Sequence, residues 1–534
     1  MKTNKSSAMK KVLVLLIVLS LVFTACGSED GGTTDTGTST DAGSSTDTGS
    51  DSTADSDSTD DGAATEFEKP EKITIMVDGT LVTKANGRAE FEAEWEALTG
   101  IDLEIIQPDH DAYTDNLGQV LASGEWPDVM LLKSAYYAGY ADEGVLWDMT
   151  AAYDNSDLKT RVKDQALVEG LKIDGSLYGL SPSRGNGCIT YIKKAWLDNV
   201  GLDVPTNYDE YVEVMDAFTN GDPDGNGIDG DTGALSSAGL IGEEIPFINY
   251  LPEFYQDAFP SFYINEDGQW ADGFVQDNFI GALERLRDAY QAGYIDKEAL
   301  TNGTSDVRNK FYEDKFGIFT YWAGTWATNL KTNLEANGLD GELIAMEPIE
   351  EVGAYLERQA PTWAITSQAE NPEAIFEYFF ETMLDGGLGQ KLFTYGAEGT
   401  HWSTEGGELL GVTYEDGQFH MLENMEKAGT LYTKNHIDPM MALTNFTEFD
   451  DPGILSVAEE ALVSAKTFGE NSRLVELVPS SEVMSQYNGD LVKLKREIVA
   501  NVVLGTRTIE EEMQRFEDEG GLEWSQMIVD SLNE

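Results

Sequence analysis

The segment Lys72-Ile73-Thr74-Ile75-Met76-Val77 alternates apolar and polar side chains, is rich in β-branched residues, and stops at Asp78-Gly79, so it reads as a strand. From Asn86 to Thr99, Ala89, Phe91, Trp95 and Leu98 recur at near-helical spacing, and Gly100 marks a helix stop. Leu103-Glu104-Ile105-Ile106 follows as a second strand. Strand, helix and strand within roughly 35 residues form a crossover unit, and a crossover of that length makes the two strands parallel. A further helix is expected from Asp111 to Ala122, after which the chain turns at Gly124 and Pro127 and re-enters the sheet at Val129-Met130-Leu131. The fold class is therefore α/β.

With 534 residues, 41% of them hydrophobic, the chain has material for more than one core, and two globular lobes are expected. Acidic side chains number 97 against 34 basic ones, a formal net charge of −63, which would repel any polyanion. Nucleic acid is excluded as a partner on that ground. The excess reads as a solvated surface suited to a salty exterior. Cys26 and Cys188 are the two cysteines, so there is neither a disulfide framework nor a cysteine-based zinc cluster. Cys188, in Asn186-Gly187-Cys188-Ile189-Thr190, reads as a small core residue at a strand edge. His110, His401, His420 and His436 show no paired metal-binding spacing.

Lys2, Lys5, Lys10 and Lys11 precede an apolar run from Val12 to Phe23 that falls short of the roughly 20 residues a membrane span needs. This is the layout of a secretory signal, here residues 1–25. Thr24, Ala25 and Cys26 then resemble a bacterial lipobox, with Phe23 where leucine is usual. That resemblance implies cleavage before Cys26 and diacylglyceryl modification of its thiol. From Gly27 to Glu66 the chain is mostly Gly, Ser, Thr and Asp, with eleven acids and no base, and cannot bury enough apolar surface to order itself. Residues 26–66 are expected to be a lipidated cysteine and an extended acidic tether.

Leu121-Ala122-Ser123-Gly124-Glu125-Trp126-Pro127-Asp128-Val129 resembles the signature of family 1 extracellular solute-binding proteins, the receptors of carbohydrate ABC importers. Ala141-Asp142-Glu143-Gly144-Val145-Leu146-Trp147-Asp148 is similar to the family's x-E-G-x-L-x-D-L segment. The likeness continues in Asp174-Gly175-Ser176-Leu177-Tyr178-Gly179-Leu180, Tyr191–Asp198, Ala292–Asp296, Tyr395–Trp402 and Val503-Leu504-Gly505. It implies a two-lobed periplasmic-binding-protein-like fold with hinge strands and an inter-lobe ligand cleft. Residues 67–183 and 362–398 would form the first lobe, and 184–361 and 399–534 the second. Crossings are expected near Ser181–Gly187, Ala360–Thr366 and Gly396–Trp402. The implied function is capture of a carbohydrate, expected to be an oligosaccharide, by a monomer held by its lipid on the outer face of the cell membrane. Delivery would be to an ABC importer with two permeases.

Asp222-Pro223-Asp224-Gly225-Asn226-Gly227-Ile228-Asp229-Gly230-Asp231-Thr232 places oxygen side chains at loop positions one, three and five, glycine at six and a backbone carbonyl, that of Ile228, at seven. A tight oxygen-rich turn of this kind suits a hard cation, and a structural calcium is expected in the loop 222–233. Gly233 stands where a full EF-hand has its bidentate glutamate. The last ligand is open between Asp231, Asp229 and a distant residue such as Glu243 or Glu244. The plainer alternative is a Gly/Asp surface turn without metal.

Sugar receptors pair aromatic platforms with a few polar groups in a concave site. Tyr321-Trp322-Ala323-Gly324-Thr325-Trp326 resembles the family segment whose tryptophan stacks on a sugar, which favours Trp326 and then Trp322. Trp363, Trp402 and Glu398 fall at expected crossings, and Arg184 offers a planar donor fork for paired hydroxyls or a uronate carboxylate. For each aromatic the alternative is core packing; Trp95, Trp147 and Trp196 are assigned to the core. Two other functions fit a secreted, aromatic-rich acidic chain: a glycoside hydrolase or lyase, for which no carboxylate pair stands out, and a surface adhesin or sensor.

Overall fold

The computed structural model describes residues 67–77, 87–108, 112–163, 165–181, 187–241, 251–409, 412–422, 447, 459–479 and 481–533. The chain divides into two units, Met1–Thr65 and Glu66–Glu534, and every described residue belongs to the second. The signal segment, Cys26 and the acidic tether therefore lie outside the described residues.

The strand Lys72–Met76 buries Ile73, Ile75 and Met76 and leaves Lys72 exposed. It pairs in parallel with Asp102–Ile106 on one side and Val129–Leu132 on the other, with the helix Arg88–Thr99 between the first two. That helix stops at Gly100, whose φ of 69° lets its N–H bond back to the carbonyl of Glu96. Two later strands complete a five-stranded sheet in the order Asp102–Ile106, Lys72–Met76, Val129–Leu132, Thr362–Ile365, Gly179–Leu180. Thr362–Ile365 runs antiparallel to both its neighbours. Trp95, Trp363, Phe91, Phe379 and Phe393 interlock beneath this sheet at centroid distances of 5.4–5.8 Å.

The signature segment is a joint of this sheet. The Asp128 carboxylate accepts from both the N–H and the hydroxyl of Thr74 at 2.7 Å. Thr366 donates its hydroxyl to the Pro127 carbonyl and its N–H to the Asp128 carbonyl. Trp126 Nε1 closes the turn onto the Leu121 carbonyl at 2.8 Å.

A second sheet has the order Leu343–Ala345, Cys188–Lys193, Phe316–Trp322, Gly233–Leu235. All six residues of Cys188–Lys193 are buried, as befits a strand covered on both faces. The helices Glu482–Val503, Ile509–Asp518 and Gly521–Leu532 pack into the same core. They are secured by a buried ion pair between Lys495 and Asp272 at 2.7 Å, to which Ser525 adds a hydroxyl at 2.8 Å. Trp95 and Trp196 are buried and Trp147 packs against the first core, as expected. Cys188 is a buried thiol at the start of its strand.

The chain leaves the first sheet after Leu180 and joins the second at Cys188; it returns between Glu357 and Thr362. Ser181 ties the two passages together, its hydroxyl donating to the Ala360 carbonyl at 3.1 Å and lying 2.9 Å from the Thr362 hydroxyl. The expected passage at Gly396–Trp402 is not one. Trp402 and Phe419 both lie in the first core, because the Trp402 ring stacks on Phe419 at 4.8 Å and its Nε1 donates to the Gly396 carbonyl at 2.7 Å. Thr447, bonded to Gln390, still belongs with that side, whereas the helix Glu459–Glu470 packs on the second sheet. The chain is therefore still with the first core at Thr447 and with the second by Glu459.

Inside the second core, Glu253 is 1% exposed and has no cation beside it among the described residues. Its carboxyl receives the Thr190 hydroxyl at 2.5 Å, Thr190 in turn lies 2.9 Å from Thr320, and Tyr211 and Tyr355 stand nearby. Burial pushes the carboxyl up to about 7 from 4.5, the Thr190 hydroxyl opposing it only in part. The unfolded chain releases this proton near 4.5 and the folded chain near 7, so stability falls across that interval as pH rises and levels off above it. Glu253→Gln is expected to flatten that portion, worth on the order of 3 kcal/mol. Urea unfolding of both proteins at pH 4.5, 6 and 8 measures it; parallel pH profiles would refute an uncharged Glu253.

Candidate functional site

The strand Phe316–Trp322 ends in a turn at Gly324, whose φ of 80° suits glycine, and the helix Trp326–Ala336 begins directly after it. The Ser464 hydroxyl holds that turn, accepting from the Gly324 N–H at 3.0 Å and pairing with the Tyr191 hydroxyl at 2.7 Å. Tyr191 also donates to the Trp322 carbonyl at 2.9 Å. Trp322 and Trp326 are both half-buried against one core cluster. Ala323 N–H bonds to the Gly187 carbonyl, so the first passage between the sheets arrives beside them.

Each tryptophan carries a guanidinium. Arg358, in the second passage, stands 4.4 Å from the Trp322 ring centroid. Arg308, from the helix Thr304–Tyr312, stands 5.1 Å from Trp326 and donates to the Tyr321 hydroxyl at 2.6 Å. Tyr321 meets the Trp326 ring edge-on at 4.8 Å. Burial raises the Tyr321 phenol and Arg308 opposes it, which keeps the hydroxyl protonated. Arg308, Arg358 and Ser464 have no mark in the sequence as site residues; they reach the tryptophans only through folding, whereas Tyr321 belongs to the same string.

Trp322 and Trp326 are thus brought together, while the other expected residues are not. Trp363 is fully buried and packs on Phe379, so no ring face is open to a solute. Trp402 is 3% exposed, with Phe419 against its ring and the Lys391 ammonium 3.8 Å from its centroid. Both are core residues. Glu398 is exposed, and its N–H donates to the Glu94 carboxylate at 3.0 Å, away from the two tryptophans. Arg184, together with Glu243 and Glu244, lies outside the described residues.

The loop after the helix Tyr208–Asn220 is drawn in by its own carboxylates. Gly227 N–H donates to Asp222 at 2.9 Å and Asn226 N–H to Asp224 at 3.2 Å. The Asn226 amide bridges Asp224 at 2.8 Å and Asp231 at 2.9 Å, and its carbonyl accepts from the Ile228 N–H. Asn199 anchors the turn through the Pro223 carbonyl at 2.8 Å. Burial, with Asp222 and Asp231 adding to it, raises the Asp224 carboxyl, and one Asp222 oxygen is buried without a hydrogen-bond partner. Asp231, not Asp229, is the residue joined to Asn226. Among the described residues no group of three or more His, Cys, Asp or Glu is assembled as a metal cluster. Here the three carboxylates are interleaved with an amide.

Two separately closed α/β cores, joined by bonded passages beside half-exposed aromatic rings, define a two-lobed solute-capture protein. Residues 81–385 match the family described as bacterial extracellular solute-binding protein, and the chain belongs to that family. It is an extracellular binding protein, not an enzyme.

Lipoprotein LipO of Bacillus subtilis (strain 168) is 26% identical over 245 residues, 45% of this chain and 48% of LipO. The polygalacturonan/rhamnogalacturonan-binding protein YtcQ of the same organism is 24% identical over 409 residues, 72% of this chain and 79% of YtcQ. The fructooligosaccharide ABC transporter substrate-binding protein FusA of Streptococcus pneumoniae is 28% identical over 244 residues, 42% of this chain and 45% of FusA. The chain thus spans about half the length of LipO and FusA. A FusA structure, that of an EF-hand mutant in complex with fructo-nystose, superposes with a TM-score of 0.56 at 16% identity, covering 87% of this chain and 99% of that one.

The two kinds of tryptophan separate by stability. Trp363→Ala is expected to cost about 3–5 kcal/mol, the range for a fully buried large aromatic. Trp326→Ala keeps the core intact and is expected to cost distinctly less. Denaturant unfolding of both variants decides the matter; equal losses would make Trp326 a core residue.

Proposed function

We propose that this protein captures an oligosaccharide outside the cell and passes it to an ABC importer, working from the membrane by a lipid on Cys26. The observation that carries the reading is the pair Trp322 and Trp326, half-exposed where the described passages leave the second sheet. Sugar rings present apolar faces that suit such platforms. The printed functions of YtcQ and FusA support a carbohydrate, and that of FusA an ABC transporter. The apolar run ending at Cys26 and the name of LipO support the anchor.

Titration calorimetry of the intact protein against a panel of neutral and acidic oligosaccharides tests the reading. A sugar at about 100 times its Kd adds about 2.7 kcal/mol to the folded state, a clear rise in melting temperature. Trp326→Ala is expected to weaken binding by about 1–3 kcal/mol, taking base–aromatic stacking as the guide. Chromatography is expected to return the sugar uncleaved. A panel in which peptides bind and no saccharide does would overturn the reading.

The loop 222–233 fits a structural calcium. Asp222, Asp224 and Asp231 supply carboxylate oxygens, Asn226 an amide oxygen and Ile228 a backbone carbonyl, an all-oxygen set for a hard cation. The partnerless buried Asp222 oxygen is a group that a cation would satisfy. The EF-hand named for the FusA mutant is in keeping with this. Chelation is expected to lower the melting temperature, since the ion stabilises only the folded loop, and Asp224→Ala to remove most of that difference. Identical melting curves of verified metal-free protein with and without calcium would refute the site.

A further inference from the structure

The chain carries far more acid than base, and three of its arginines pair with that acid. Arg287 pairs with Asp288, Arg507 with Glu512, and Arg515 with Glu497, Glu512 and Glu519. Arg308 differs. It makes no ion pair among the described residues, and its two hydrogen bonds go to neutral hydroxyls, Tyr321 at 2.6 Å and Ser305 at 2.9 Å. A guanidinium has five N–H donors. The remaining donors belong to a half-buried side chain whose guanidinium lies over the Trp326 indole, 5.1 Å from its centroid.

An unmatched fork beside a stacking platform is suited to a ligand that brings both a ring face and an anion. We propose that the saccharide taken at Trp326 is carboxylated, and that Arg308 is the residue that selects for the carboxylate. This rests on the oligosaccharide reading above and narrows it. A planar carboxylate matches the spacing of two guanidinium N–H donors, and a charge-assisted pair of this kind is roughly twice as strong as a neutral hydrogen bond. The overall field of the protein opposes an anion, yet at physiological salt that field is screened beyond about 8 Å, whereas a contact pair is not. Tyr321 and Ser305 fix the fork in place beforehand, so little order is lost on binding.

The carboxylate has two common sources, a uronic acid or a sialic acid, and the test separates them. The intact protein is titrated with trigalacturonate, trimannuronate and sialyllactose, and with the neutral counterparts galactotriose, mannotriose and lactose. One acidic sugar is expected to bind at least tenfold tighter than its neutral counterpart, and to weaken as sodium chloride is raised. Arg308→Met is expected to collapse that ratio and Arg308→Lys to recover only part of it, with melting temperatures within a few degrees of the parent. A neutral sugar binding as tightly as its acidic partner would overturn the assignment and leave the oligosaccharide reading standing. So would an Arg308→Met variant that weakens both alike, since the arginine would then merely prop the ring. Failure of every saccharide would sink the oligosaccharide reading and this inference with it.

Discussion

The hydroxyl of Ser181, shared between the Ala360 carbonyl and the Thr362 hydroxyl, ties together two passages between the sheets. Each sheet closes over its own apolar core, so relative movement of the lobes need not break either. Such a movement would fall on the bonding of a few residues at the passages. Gln359 reinforces the joint from the other side by donating to the Val475 carbonyl. Everything that could meet a solute at the second lobe is placed with reference to these strands: Trp322 through Cys188 and Gly187, Arg358 by standing in the passage itself.

The first lobe is assembled around a dense aromatic cluster, and in the second Lys495, Lys193 and Glu253 are buried ionisable groups, each with a local partner. Lys495 and Asp272 neutralise one another, and Lys193 is held by Asp314 and the Phe311 carbonyl. Lys193 and Lys495 are both lowered by burial, and their carboxylates hold the charge in place. Glu253 alone of these is answered by a hydroxyl instead of a cation. Its environment favours the neutral acid, whereas the paired lysines keep theirs charged.

The family-like strings of the sequence turn out to act in different ways. Asp128 and Trp126 in the signature segment are braces of the first sheet, bonded to Thr74 and Leu121, and have no contact with the tryptophan pair. Asp296 is likewise structural: it joins Lys310, Ser236 and Asn302 in one polar knot at the end of Gly233–Leu235. The string 321–326 is different because its turn at Gly324 lifts Trp326 out of the strand. A resemblance in sequence therefore marks buried braces and half-exposed rings alike.

Alternation and helical spacing are local properties, so the parallel arrangement of Lys72–Met76 and Asp102–Ile106, the helix between them and the glycine stop were legible before folding. The oxygen-rich turn at 222–231 was legible for the same reason, its carboxylates being neighbours in sequence, whereas the bond that joins Asp231 to Asn226 appears only in the fold. Trp322 and Trp326 were singled out through one short string, and the fold leaves both rings half-buried. Trp363 and Trp402 were misplaced because a tryptophan beside an expected crossing looks the same whether its ring faces water or core, and burial by Phe379 or by Phe419 and Lys391 depends on segments far away in the chain. Arg308 and Arg358 were invisible for the converse reason: a lone arginine acquires a role only when folding sets it over an aromatic ring. The sequence determined the class of fold and the locally coded loop; the pairing of cations with rings, and of buried with open tryptophans, was decided by tertiary packing, because those contacts join residues that nothing in the local chain relates.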